Sequence, residues 1–139
     1  MRIFLSLLIT LQLFALQSVD ARQVRVLSEK IEFSGKVNTT QRKTLILQND
    51  SNESATYFLR YLRGNVGSSQ NILVCIGDNC FDPRKDLSQV RFTLAPGEVT
   101  TNIYIEFELG ITATKGTFDL HFFNTSNQRD AFVVENVYN

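Results

Sequence analysis

Residues 90–109 read VRFTLAPGEVTTNIYIEFEL, and this stretch decides the fold class. Val90, Phe92 and Leu94 alternate with Arg91 and Thr93, the period-2 pattern of a strand with one buried face. Ala95-Pro96-Gly97-Glu98 then interrupts the run. Pro96 presets φ for the second position of a turn, and Gly97 supplies the positive φ that a type II turn needs at the third. Beyond the turn, Ile103, Ile105, Phe107 and Leu109 alternate with Tyr104, Glu106 and Glu108. Two amphipathic strands flank one sharp structural turn, which points to an all-β chain.

The pattern extends in both directions. Strands are predicted over residues 23–27, 29–34, 43–49, 55–63, 72–76, 117–124 and 131–138, with Asn, Ser and Gly clustered between them. Turn signals recur about every 8–12 residues, and no 3.6-residue period stands out beyond residue 21. The expected architecture is an all-β antiparallel sandwich of about eight strands. Upstream of the deciding stretch, Cys75 and Cys80 enclose Ile-Gly-Asp-Asn, strong turn formers that let the chain double back. A disulfide that stiffens a loop tip is the expected outcome in an exported chain. The C-x4-C spacing is not that of a C-x-x-C redox motif, and two thiols with one histidine make a poor zinc set.

Export is read from the N-terminus. Arg2 is a short basic region, residues 3–16 are mostly apolar, and Val19-Asp20-Ala21 is a small-residue cleavage pattern. The apolar run falls short of the roughly 20 residues that a membrane span needs. Residues 1–21 are therefore expected to be a signal peptide cut after Ala21, and residues 22–139 one domain without membrane insertion. Fourteen Lys and Arg balance fourteen Asp and Glu, so the chain lacks the basic excess that a nucleic-acid partner requires.

The residues carry no convincing catalytic set, and no cofactor or metal is expected. His121 is the only histidine and lies out of phase with Phe118, Leu120 and Phe122, so it should face outward. No G-x-S-x-G elbow accompanies it. Glu106 and Glu108 share a strand face and read as solvated. Asp78, Asn79, Asp82 and Asp86 cluster loosely without the spacing of a calcium loop. Four N-x-S/T sequons, beginning at Asn38, Asn49, Asn52 and Asn124, read as products of Asn- and Ser-rich turns. Loops at sandwich ends usually carry recognition, so the candidate interface residues are Gly64, Asn65, Gly67, Ile76, Asp78 and Asn79, joined by the aromatics Phe81 and Phe123.

Four segments together, Cys75–Pro83, Phe92–Glu98, Ile103–Phe107 and Gly116–Phe118, resemble the immunoglobulin-like modules of exported Bacteroidetes proteins. Those modules are often found just before type IX secretion sorting domains. A more distant similarity is to Hydin-type and major-sperm-protein-type sandwiches. The resemblance implies an immunoglobulin-like antiparallel β-sandwich with a binding or scaffolding role and without catalysis. The expected protein is an accessory or scaffolding subunit of a cell-envelope assembly, working by protein–protein contact. With no sorting domain after residue 139, it is expected in the periplasm, on the outer membrane or outside the cell. The alternative is a carbohydrate- or matrix-binding module, which needs a row of exposed aromatics. Tyr57 and Tyr61 share a face with inward Leu59, an arrangement that disfavours it.

Overall fold

The structure, a computed structural model, describes residues 22–28, 30–85, 90–112 and 114–139. The expected signal peptide and Asp86 lie outside the described residues. Eleven strands follow one another: β1 (Val24–Val26), β2 (Lys30–Phe33), β3 (Thr40–Thr44), β4 (Leu47–Asn49), β5 (Ala55–Gly64), β6 (Asn71–Ile76), β7 (Asn79–Phe81), β8 (Arg91–Leu94), β9 (Ile103–Glu108), β10 (Gly116–Asn124) and β11 (Ala131–Tyr138). One sheet has the order β2-β11-β10-β5-β8, a second β3-β9-β6-β7, and β1 pairs with β4 in a third. All pairs are antiparallel except β2 with β11, which run parallel.

The deciding stretch folds as its residues dictate. Phe92, Leu94, Ile103, Ile105 and Phe107 are buried, whereas Arg91 and Thr93 are exposed. Gly97 has φ +73°, and the Glu98 amide donates to Ala95 O at 3.1 Å, closing the predicted turn around Pro96. The Glu98 carboxylate folds back to accept from the Ala95 amide at 2.7 Å.

The strand predicted over residues 43–49 is divided, one of two additions that bring the nine predicted segments to eleven strands. Its first part pairs with β9 and its second with β1. The break is made by a side chain distant in sequence. The buried Thr100 hydroxyl accepts from the Leu47 amide at 2.9 Å and donates to Leu45 O at 3.2 Å, replacing a backbone rung with a side chain. The segment still runs beside residues 98–103: Leu45 N donates to Ile103 O, Thr100 N to Leu47 O and Asn49 N to Glu98 O, each at 2.9 Å. The other addition is β7, three residues folded back onto β6.

The inward faces of the two larger sheets meet in an aromatic core. The Phe107 ring centre lies 5.4 Å from Phe33 and Phe118 and 4.8 Å from Tyr138. Toward the other end, Tyr57 packs on Phe92 and Phe132, and Phe122 on Phe132. Such pairs add about 0.5–1.5 kcal/mol each beyond the area they bury. Two of the sequons are turn devices. Asn49 and Asn124 are buried, and their side-chain carbonyls accept from the amides of Ser51 at 3.0 Å and Ser126 at 2.9 Å, closing Asx turns.

Candidate functional site

The residues expected to form an interface fall in three places. Gly64, Asn65 and Gly67 precede β6, while Ile76, Asp78, Asn79 and Phe81 surround its far end. The first group is occupied with holding its own loop. The Asn65 side chain accepts from the Thr117 amide at 2.9 Å, Asn65 O accepts from the Tyr138 hydroxyl at 3.0 Å, and Gly67 N donates to Gln70 Oε1 at 2.8 Å. A Cβ at Gly64 would collide with Phe118.

The second group forms the tip of the β6–β7 hairpin. Cys75 and Cys80 face each other across it and are joined by the expected disulfide. Gly77, at φ +58°, makes the reversal, with Asp78 and Asn79 exposed beside it. Ile76 and Phe81 are partly buried against the core, so they hold the hairpin down more than they present a surface. Asp82 belongs to the same anchoring. Burial opposes its charge, but two side-chain bonds from Arg84, the Arg84 amide and the nearby Lys85 outweigh this and hold its carboxyl below the ordinary range.

Phe123 stands apart, on the outer face of the five-stranded sheet, where sequence reasoning found only this one member of a larger patch. Cross-strand register places Arg91, Phe58, Phe123 and Ala131 in one row and Arg60, His121 and Val133 in the next. Phe58 and Phe123 stack with ring centres 5.2 Å apart. The Arg60 guanidinium lies over Phe123 at 5.7 Å, and His121 closes on the same ring at 3.9 Å. Val133 is 44% exposed. The β5–β10 register shifts between Asp119 and Leu120, leaving Leu62 without a partner on β10 and 47% exposed nearby. Neither Arg60 nor Arg91 forms an ion pair among the described residues, and the two rows contain no carboxylate. Burial, together with the charge of Arg60, lowers the affinity of His121 for a proton.

The outer face of the four-stranded sheet contrasts with this. Arg42 is ion-paired with Glu106 and lies over the Tyr104 ring at 5.1 Å. Glu108 accepts from Asn71 at 2.7 Å. The two carboxylates singled out in the sequence are thus held by structural neighbours. Tyr57 is fully buried and Tyr61 packs against the core, so neither offers a sugar platform. Phe58 and Phe123 form one stacked pair and not a row, with Arg60 and His121 set against Phe123.

A shallow cleft of about 630 Å³ opens beside Gly35, Val37, Leu109 and Lys115. Among the described residues its ionisable side chains are Lys36 and Lys115, with no acidic side chain or histidine to serve as a general base. No group of three or more metal-ligating side chains comes together among the described residues.

No family model matches the chain, and no curated protein does. Solved structures give the fold. The N-terminal domain of PorA superposes with a TM-score of 0.55 at 10% identity, covering 80% of this chain and 86% of that one. A PapD-like domain of human CEP192 gives 0.50 at 12% identity, over 84% and 82%. WR4, a C. elegans MSP family member, gives 0.50 at 6% identity, over 85% and 99%. The chain has an immunoglobulin-like β-sandwich fold, similar to that of these PapD-like and MSP domains. That bears out the distant likeness to major-sperm-protein-type sandwiches.

Proposed function

We propose that this chain is an exported, non-enzymatic immunoglobulin-like domain that works by protein–protein contact, as an accessory or scaffolding subunit of a cell-envelope assembly. The observation that carries the reading is the asymmetry between the two outer faces. One is closed by the Arg42–Glu106 ion pair and the bond from Asn71 to Glu108. The other offers a stacked Phe58–Phe123 pair, half-exposed Val133 and Leu62, and two arginines that form no ion pair among the described residues. Aromatic and arginine side chains of this kind are the usual anchors of interfaces. The fitting occupant is a protein segment that lays apolar side chains on the phenylalanines and carboxylates against Arg60 and Arg91. The disulfide supports an oxidising compartment, in line with the signal-peptide reading of residues 1–21 and with the resemblance to exported Bacteroidetes modules.

The test compares the tagged wild-type chain with an Arg60→Glu/Arg91→Glu variant of equal melting temperature, each purified from gently solubilised envelopes. A stoichiometric protein should accompany the wild type, leave it as salt is raised, and be missing from the variant. Equal recovery with both chains overturns the assignment to this face. Recovery of the wild type as a free monomer overturns the accessory-subunit reading.

A further inference from the structure

Asp130 sits at the β10–β11 turn and is wholly buried. Its Oδ2 accepts from the Tyr57 hydroxyl at 2.5 Å, from Asn124 Nδ2 at 2.8 Å and from the Gln23 backbone amide at 3.4 Å. Its Oδ1 is equally buried and accepts no hydrogen bond among the described residues. No cation is paired with this carboxylate there. A buried charge in that condition is expensive unless an opposite charge completes it.

The surroundings say where such a charge can come from. Gln23 is fixed on several sides: its carbonyl accepts from the Asp50 amide at 3.1 Å, and its side chain accepts from Asn124 at 2.9 Å. Its own amide already points at Asp130. The residue before it is Arg22, which is exposed. Covalent geometry keeps consecutive backbone nitrogens within about 3.7 Å of each other. The Arg22 nitrogen therefore lies within about 7 Å of Asp130 Oδ2, by adding that span to the 3.4 Å of the Gln23 bond. Once Arg22 is the first residue, rotation about its Cα–C bond moves that nitrogen through this range.

We propose that Asp130 is the receptor for the α-ammonium group of Arg22, created when the leader is removed. The inference rests on the exported reading and its cut after Ala21. A signal peptidase hydrolyses the Ala21–Arg22 peptide bond with one water. The carboxylate stays on Ala21, and the amine released on Arg22 takes up a proton. The ammonium and the Gln23 amide then donate to the same carboxylate, one from each of two successive backbone nitrogens. Attachment of β1, which follows at Val24, is thereby coupled to processing. The full stability of the sandwich becomes available only to the cleaved chain.

The test uses residues 22–139 with the disulfide formed. One form has a free Arg22 amine, freed from a fusion that leaves no extra residue. Another has the same amine acetylated. Each is made with Asp130 and with Asp130→Asn, and the urea midpoints are compared. The free amine should raise the folding equilibrium constant about tenfold over the acetylated form when Asp130 is present, and by a factor near one in Asp130→Asn. Equal factors in the two backgrounds, or a factor near one with Asp130, overturn the assignment. If Asp130→Asn does not fold, nitrogen NMR of the Arg22 amine in the unaltered chain decides. Titration above the ordinary α-amino range upholds the pair, and titration within it overturns the pair. N-terminal sequencing of the exported protein separates the two layers. A first residue other than Arg22 sinks the cleavage reading, whereas Arg22 without coupling sinks only the role of Asp130.

Discussion

Replacing Tyr57 with phenylalanine isolates one buried hydrogen bond. The ring keeps its place, 5.9 Å from Phe92 and 5.4 Å from Phe132, so packing is conserved. What is lost is the donation to Asp130 Oδ2 at 2.5 Å. A hydrogen bond to a charged group contributes about 1.5–3 kcal/mol net. The upper half of that range is expected, because the other oxygen of the same carboxylate accepts no hydrogen bond among the described residues. With a urea m-value of about 1–3 kcal/mol/M, a loss of roughly 2–3 kcal/mol moves the midpoint down by about 1 M. Equilibrium unfolding followed by circular dichroism measures this, and the m-value should not change. The pH axis supplies a second reading. Burial first, and then the bond to Asp130, push the Tyr57 hydroxyl well above its ordinary value of 10.0. The folded chain then holds this proton where the unfolded chain releases it, so stability is intact below about pH 10 and declines as pH rises beyond it. That alkaline slope should be absent in Tyr57→Phe. A midpoint shift below about 0.25 M, with the slope retained, would refute the reasoning and show that Asp130 does not depend on this donor.

Three further outcomes are expected. Replacing Cys75 and Cys80 together with alanine should cost about 2 kcal/mol by the chain-entropy argument for a six-residue ring. The fold should survive, because β6 remains paired with β9, and faster amide exchange should be confined to residues 76–81. Gly97→Ala should lower stability by about 1–2 kcal/mol in urea melts, since nothing lies within 4 Å of the added methyl and only the +73° φ resists it. His121 binds its proton less readily in the folded chain, from burial first and Arg60 second. The unfolded chain therefore takes up more protons, and stability should fall as pH drops below about 6.5. His121→Gln should flatten that part of the melting-temperature profile between pH 5 and 7.5, and an unchanged profile would assign the slope to other groups.

The sandwich was legible because its strands are half-buried. Val90–Leu94 and Ile103–Leu109 announce both their period and their buried side, and Pro96-Gly97 marks the turn between them. The division of residues 43–49 was not legible. It depends on Thr100, some fifty positions away, reaching a rung of the ladder, and no local pattern encodes that. The pairing of Asp130 with Tyr57 and Gln23 was hidden for the same reason, since the contacts span 73 and 107 positions. The outer-face patch was half visible. Phe123 follows Phe122 and so must point away from it, which flagged one exposed aromatic. Its stacking on Phe58, and the arrival of Arg60 and Arg91 beside it, required the β5–β10 and β5–β8 registers. The disulfide, closed within one hairpin, could be read from spacing and turn chemistry together with the exported reading of residues 1–21.

The sheet edges bear on how a partner can approach. A sandwich can associate by adding a strand to an edge or by burying a face, and the edges here are defended. The outermost strands are β2 and β8 in one sheet and β3 and β7 in the other. The β8 strand has four residues, with Arg91 and Thr93 exposed, and β7 has three, closed by the disulfide. Lys30 and Glu32 form an ion pair on β2 at 2.9 Å, and β3 presents Arg42 and Lys43. Short strands and charged side chains are the usual protection against edge pairing. No such protection covers Phe58, Phe123 and Val133. Arg60 lies against the phenylalanines and leaves its charge unmatched by any acid in those rows, which discourages a second copy of the same face, where arginine would meet arginine. The same charge welcomes a face that carries carboxylates. A patch of this kind favours a partner unlike itself, as the proposed accessory-subunit role requires and self-assembly does not.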